Sequence, residues 1–302
     1  MNLSQMSAGT ADRLRSAGLD PVQIASIIVA TVEEDLDGGV DITSVSTVPA
    51  SQRSVVTFGA RAAGCLAGLD VACAVVEIVC GADNVTIERV KSDGDRLRKG
   101  DVIARVTAPT QSMLTAERTA LNLMCHLSGV ATATSKWVDA VAGTGAVIRD
   151  TRKTTPGWRR FEKYAVHCGG GTNHRVGLFD QILIKDNHLA ALRDAQPNAI
   201  AAAVQRARAQ FPQLKVEVEA DTLAQVAQAA DAGANIILLD NMTTAQLREA
   251  VRLVAGRART EASGGVRLDT VRAIAETGVD FISVGALTHS ARAVDIGLDF
   301  AG

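Results

Sequence analysis

The residues best suited to chemistry are cations gathered in one stretch, followed at a distance by two carboxylates. Between Arg149 and Arg175 lie seven Arg or Lys residues in 27 positions, with His167 and His174, against only Asp150 and Glu162. A basic run alone is usually a solvated face. Here it contains Gly169-Gly170-Gly171, where a backbone can approach a ligand closely, and it precedes a short apolar run ending in Lys185. That combination points to a small polyanionic ligand. Glu219 and Asp240 stand 21 residues apart. Two carboxylates in a cationic pocket are suited to Mg²⁺, which usually takes one or two carboxylates together with phosphate oxygens and water. The alternative is that they pair with nearby Arg and Lys groups. Ser263-Gly264-Gly265 and Gly285-Ala286 offer exposed backbone N–H groups of the kind that bind phosphate. His174 could donate to a ligand and His289 could contact phosphate, while His126 and His188 read as structural.

The elements needed to bring these residues together follow from the apolar pattern. After Gly143, the runs Val147-Ile148, Ile182–Ile184, Val216–Val218, Ile236–Leu239 and Phe281–Val284 are short, continuous and not alternating. Such runs suit parallel strands covered on both faces. Helical stretches at Ala199–Gln210, Leu223–Ala232, Thr244–Val254 and Leu268–Thr277 separate them, which defines βα units and a parallel sheet or barrel. The length is too small for eight standard units, so six or seven strands are expected. Arg152, Lys153, Lys185, Glu219, Asp240, Ser263 and Gly285 each fall at or just after a strand end. In a barrel those ends share one face, where active sites are assembled.

Upstream, Asp20-Pro21 predicts a helix carrying Ile24, Ile27, Ile28 and Val32 and ending near Asp37-Gly38-Gly39. No role follows for the acidic group Glu33-Glu34-Asp35. Strands are expected at Ser54–Phe58, Thr86–Val90 and Val102–Val106, with a helix over Gly68–Val79, a hairpin around Ser92–Asp101 and a second helix over Leu114–Leu127. This region reads as a compact α+β domain.

Composition narrows the function classes. Of the 302 residues, 47% are hydrophobic and 21% charged, as in ordinary globular proteins. The 3% aromatic content and net charge of -2 argue against nucleic acid, and no nucleic-acid-binding motif accompanies the basic run. Cysteines 65, 73, 80, 125 and 168 form no CxxC pair, so free thiols are expected rather than disulfides or a zinc site. The first six residues lack a basic region followed by an apolar stretch, and the greasiest window, Cys65–Ala82, is interrupted by Asp70 and Glu77. A cytoplasmic protein without a membrane span is expected.

Several segments together resemble the quinolinate phosphoribosyltransferase family. They are Glu117–Asn122, Thr151–Gly157, Glu162–Val166, Cys168–Gly171 with His174-Arg175, Leu183–His188, Glu217–Glu219, Leu239–Asn241 and Gly278–His289. The likeness runs in order from about residue 20 to 300. It implies an α/β protein with an N-terminal α/β sandwich domain over residues 1–128, against which residues 290–302 pack. Residues 129–289 would form an open seven-stranded, TIM-like α/β barrel. It further implies a homodimer, or an assembly of dimers, in which the N-terminal domain of one subunit covers the barrel mouth of the other.

The site roles are likewise what the resemblance implies. Arg152, His174, Arg175 and Lys185 would bind the carboxylates of quinolinate, with Arg118 donated by the partner subunit. Lys153, Glu219 and Asp240 would be the catalytic group, contacting the ribose, diphosphate and Mg²⁺ of phosphoribosyl diphosphate. Ser263, Gly264, Gly285 and His289 would lie around the phosphate end. The implied products are nicotinate mononucleotide, CO₂ and diphosphate, a step of NAD synthesis. A phosphoribosyltransferase for a monocarboxylate would not need so many cations. A non-catalytic phosphate sensor would not need Lys153, Glu219 and Asp240 together.

Overall fold

The structure is a computed structural model that describes residues 5–300. Residues 1–4, part of the segment read for a leader, and residues 301–302 lie outside it. In chain order the first elements are α1 (Ala8–Ser16), α2 (Pro21–Leu36), α3 (Ile42–Thr47), β1 (Arg53–Ala60), β2 (Gly64–Cys65) and α4 (Leu69–Cys80). Then come β3 (Thr86–Arg89), β4 (Arg96–Leu97), β5 (Val102–Pro109), α5 (Thr110–Ala140), β6 (Val147–Arg149) and α6 (Arg159–Cys168). Next are β7 (Ile182–Ile184), α7 (Asp186–Ala190), α8 (Ala199–Gln210), β8 (Val216–Ala220), α9 (Leu223–Asp231) and β9 (Ile236–Asp240). The last are α10 (Thr244–Val254), β10 (Arg259–Ser263), α11 (Val271–Ala275), β11 (Phe281–Ser283), α12 (Ala286–His289) and β12 (Ile296–Phe300).

One compact unit contains the described residues up to Ala133 together with Arg160–Gly170 and the segment from Ser290. Its antiparallel sheet has the order β12-β1-β5-β3. The α2 helix starts as its sequence dictates, with the Asp20 carboxylate accepting from Val22 N–H at 3.0 Å and Pro21 at the first turn. Ile24, Ile28 and Val32 form its buried stripe. Asp93 caps α4 by accepting from Gly68 N–H at 2.9 Å and Leu69 N–H at 3.0 Å, and also accepts from the Tyr164 hydroxyl at 2.6 Å. Burial raises the Asp93 carboxyl above its ordinary range, against those three donors.

Two expectations in this unit need correction. The two turns flanking Arg96 are present, with Gly94 and Gly100 at φ 94° and 91°, and β3 pairs with β5. The residues between the turns form no hairpin of their own, because Arg96-Leu97 pairs instead with Gly64-Cys65. The helix expected over Leu114–Leu127 is also longer, running 31 residues as α5. It passes through Gly129, a residue that weakens helices. Contact explains the glycine: a Cβ there would strike the Arg292 carbonyl.

The other unit contains Thr134–Arg159 and Gly171–His289. Its six strands are parallel in the order β6-β11-β10-β9-β8-β7, so the first strand lies beyond the last, as in an open barrel. The seventh strand is reduced to a single parallel bridge between Arg149 and Thr172. The helix expected over Leu268–Thr277 shortens to Val271–Ala275. Thr270 Oγ1 accepts from Arg267 N–H at 3.4 Å and donates to its carbonyl at 3.1 Å, local bonds that compete with a helical turn. The strands also differ from the continuous apolar runs expected. On β8, Val216 and Val218 flank Glu217, and all three are buried; on β10, Glu261 is buried beside Ala262. Side chains alternate along a strand, so these carboxylates lie on the opposite sheet face from the neighbouring valines and alanine.

The Gly129→Val substitution is expected to destabilise the protein by about 2 kcal/mol, as overpacking against backbone does. The measurement is a lowered guanidinium unfolding midpoint with an unchanged slope. An unchanged midpoint would show that the Arg292 segment gives way freely.

Candidate active site

A cleft of about 580 Å³ opens at the C-terminal strand ends of the parallel sheet. Arg152, Lys153, His174, Arg175, Lys185, Glu219, Asp240, Ser263 and Gly264 all line it, joined by Thr151, Leu183, Leu238, Asn241 and Ser283. Strand register accounts for the gathering. Ser263 pairs with Asp240, Ala220 with Leu239, and Ile184 with Val218, so neighbouring strands finish at nearly one level. Gly285 and His289 adjoin Lys153: a Cβ on Gly285 would lie 3.0 Å from Lys153 Cδ and 3.2 Å from His289 Nε2. The Lys153 carbonyl accepts from the Thr288 hydroxyl at 2.7 Å, tying the loop after β6 to α12. Arg118 is not among the lining residues; it is exposed on α5 in the other unit.

The cations are arranged to receive negative charge. Burial lowers the Arg175 pKa, and the charge of Arg152 lowers it further. Arg152 Nε is buried without a hydrogen-bond partner. A buried donor left unmade is costly, and a bound anion would satisfy it. Lys185 Nζ lies 2.9 Å from Glu219 Oε2, so one of the two predicted acidic residues pairs with a neighbouring cation. Asp240 Oδ2 accepts from Asn241 Nδ2 at 2.5 Å. Asn241 has φ 53°, and its side chain fills the space that a Cβ on Gly264 would need. With Gly264 at φ 86°, the turn after β10 both requires glycine and closes over Asn241.

Beneath the cleft lies a polar group that sequence reasoning did not single out. Glu261 Oε2 accepts from Arg149 Nη1 at 2.6 Å, and its other oxygen accepts from the Ser283 hydroxyl. Glu217 Oε2 accepts from Gln181 Nε2 at 2.5 Å and lies 3.0 Å from His174 Nε2. Arg149 also stacks on Phe281, 4.3 Å from the ring centroid. Burial, then the nearby Glu217 charge, raise the Glu261 carboxyl against the pull of His174 and Arg149. Ligand atoms of His174, Glu217 and Glu261 fall within 4.8 Å of one another, a metal-like spacing. Protein donors already occupy three of the four carboxylate oxygens, which makes this a hydrogen-bonded network instead. The signal for it in the sequence was a Val-Glu-Val alternation inside a strand expected to be apolar throughout.

As expected, the five cysteines form no disulfide among the described residues, and burial pushes Cys73, Cys80 and Cys168 up to about 12. No helix among the described residues is long and apolar enough to cross a membrane.

A parallel α/β barrel with a cationic cleft at its strand ends, carboxylates among the cations and glycine turns on its last strands, defines a protein that handles small phosphorylated or carboxylated molecules. Residues 41–128 match the family described as quinolinate phosphoribosyl transferase, N-terminal domain, and residues 130–299 match its C-terminal domain. The chain belongs to the quinolinate phosphoribosyltransferase family. It is 48% identical over 271 residues to nicotinate-nucleotide pyrophosphorylase [carboxylating] of Mycobacterium leprae, covering 89% of this chain and 94% of that protein. Its fold is similar to that of NadC from Streptococcus pyogenes, with a TM-score of 0.87, 40% identity and coverage of 94% and 99% of the two chains. The nicotinate-nucleotide pyrophosphorylase of Francisella tularensis gives a TM-score of 0.85 at 37% identity, with coverage of 92% and 96%.

The neighbouring guanidiniums lead to a binding prediction. Arg152→Gln should weaken binding of a benzene-1,2-dicarboxylate probe by about tenfold or more, ~1.4 kcal/mol, with the loss of one charge-assisted contact. Titration calorimetry at fixed salt reads the change. Undiminished affinity would exclude Arg152 from the anion site.

Proposed function

We propose that this protein transfers the 5-phosphoribosyl group from phosphoribosyl diphosphate to quinolinate with decarboxylation, as a glycosyltransferase of the pentosyl-transfer type. The products are nicotinate mononucleotide, CO₂ and diphosphate, which places it in de novo NAD biosynthesis. The observation that carries the reading is the buried, unpartnered Arg152 Nε beside Arg175 in a cleft that also presents Glu219 and Asp240.

The chemistry accounts for this composition. Quinolinate carries two adjacent carboxylates, and phosphoribosyl diphosphate carries several further negative charges. In this reading Arg152, Arg175 and Lys185 bind the ring carboxylates, with guanidinium forks matching planar carboxylates. Lys153 stabilises charge building on the departing diphosphate. Glu219 and Asp240 hold the ribose end, while Ser263, Gly264, Gly285 and His289 receive phosphate. The pyridine nitrogen attacks the ribose carbon as the bond to diphosphate breaks. The resulting pyridinium takes up the electron pair released when the adjacent carboxylate leaves as CO₂, and a solvent proton replaces it on the ring.

Two hard carboxylates ending adjacent strands and lining the same cleft as Lys153 and Lys185 fit Mg²⁺ bound together with phosphate oxygens. Glu219 and Asp240 would hold it, and it would supply charge neutralisation for the diphosphate. The assembly is a homodimer, or a set of dimers, in which Arg118 enters the partner's cleft. Arg118 is exposed and has no ion pair among the described residues, and Val22 and Ile42 of the same unit are 74% and 76% exposed. The protonated, buried thiols suit a reducing cytoplasmic setting.

Purified protein with quinolinate, phosphoribosyl diphosphate and Mg²⁺ should release CO₂ and form nicotinate mononucleotide. Turnover of nicotinate with none of quinolinate would overturn the assignment. Glu219→Gln with Asp240→Asn should abolish calorimetric Mg²⁺ uptake in the presence of phosphoribosyl diphosphate; retained uptake would place the ion elsewhere. Arg118→Ala and Lys185→Ala chains, each inactive, should recover about a quarter of wild-type activity after random subunit exchange, because half the dimers are mixed and each has one intact site. No recovery after demonstrated exchange would exclude a shared site.

A further inference from the structure

Hydrogen bonds below the cleft form a closed circuit. Glu217 Oε2 accepts from Gln181 Nε2 at 2.5 Å and lies 3.0 Å from His174 Nε2. His174 Nδ1 accepts from Arg175 N–H at 2.7 Å, and Arg175 Nη1 donates to the Gln181 carbonyl at 3.3 Å. Because Nδ1 is an acceptor, a neutral His174 ring carries its proton on Nε2, the atom that faces Glu217. The Asp150 carboxylate accepts from His174 N–H at 2.7 Å and fixes the same peptide from the other side. Glu217 and Asp150 are fully buried, and His174 and Gln181 are nearly so. Thus Arg175 is held near its backbone through His174 and at its guanidinium through Gln181, and both supports rest on one carboxylate oxygen.

We propose that Glu217 is a positioning residue for the ring-carboxylate subsite: acting through His174 and Gln181, it sets where the Arg175 guanidinium stands. His174 in this arrangement acts chiefly as the link between Glu217 and the Arg175 backbone, its proton directed toward the barrel interior. The inference rests on the quinolinate reading given above and adds the means by which that substrate is placed. A side chain that only filled the core would affect both substrates alike, whereas a support for Arg175 acts on the dicarboxylate.

The test compares Glu217→Met, which removes the acceptor at similar volume, with Glu217→Gln, which keeps a carbonyl oxygen for His174. Glu217→Met should raise KM for quinolinate about tenfold or more while KM for phosphoribosyl diphosphate stays within about twofold, and Glu217→Gln should remain within about threefold of wild type for both. In an Arg175→Ala background, adding Glu217→Met should change the quinolinate KM by less than about twofold, since the support then has nothing to position. Equal increases for the two substrates, or full multiplication of the two effects, would overturn the proposal. If Glu217→Met does not fold, Gln181→Leu asks the same question, since it removes one donor to Glu217 but keeps the backbone carbonyl used by Arg175. It should give the same split at about threefold, and an even effect would again overturn the proposal. Wild-type protein inert toward quinolinate removes the functional assignment itself, whereas active wild type with unsplit variants removes this inference alone.

Discussion

Crowding cations into one cleft is unfavourable, and the barrel is organised around that constraint. Two like charges about 5 Å apart repel by roughly 3 kcal/mol at an effective dielectric near 20. Arg152, Lys153, Arg175 and Lys185 line a single cleft, so the protein must supply opposing charge while leaving the cleft open. It does so at two depths. Glu219 meets Lys185 at the surface of the cleft, while Glu217 and Glu261 lie beneath it with Arg149 between the sheet interior and Phe281. The deeper pair brings its own difficulty, since burial and the neighbouring Glu217 charge raise the Glu261 carboxyl. Donors from Arg149, Ser283, Gln181 and His174 answer it.

The parallel strands therefore perform two tasks on alternating residues. Val216, Val218, Ile237, Leu239, Ala262 and Ile282 are buried apolar positions that hold sheet and helices together. Glu217, Glu261 and Ser283, in the same strands, carry the polar network. Strand geometry keeps the tasks apart because successive side chains take opposite faces. An arginine lining the cleft, Arg175, can then be held by largely buried polar side chains, with stability left to their apolar neighbours.

Much of this was legible from residue patterns. The βα alternation, the helix start at Asp20-Pro21, and the strand-end positions of Lys185, Glu219 and Asp240 are local properties, set by caps and short apolar runs. The buried network was not, because it depends on pairing distant segments. Glu217 and Glu261 become neighbours only through the intervening strand β9, and Gln181 and His174 come from the loop before β7. The pairing of Arg96-Leu97 with Gly64-Cys65 escaped for the same reason: turn residues announced a reversal but not the partner. Gly129 shows a third limit, since its helix tolerates it for a contact 163 positions away that no local preference encodes.

The pairing of β12 with β1 bears on how the protein is made. Val56 to Ala60 align with Phe300 to Ile296, so the sheet begun by residues near 53 gains its outer strand from the final described segment. During synthesis all of the barrel segment emerges before that strand does. Until then β1 presents an open hydrogen-bonding edge, the kind of surface that recruits a wrong partner. The nascent chain must keep that edge from its neighbours on a crowded polysome until β12 has emerged and paired.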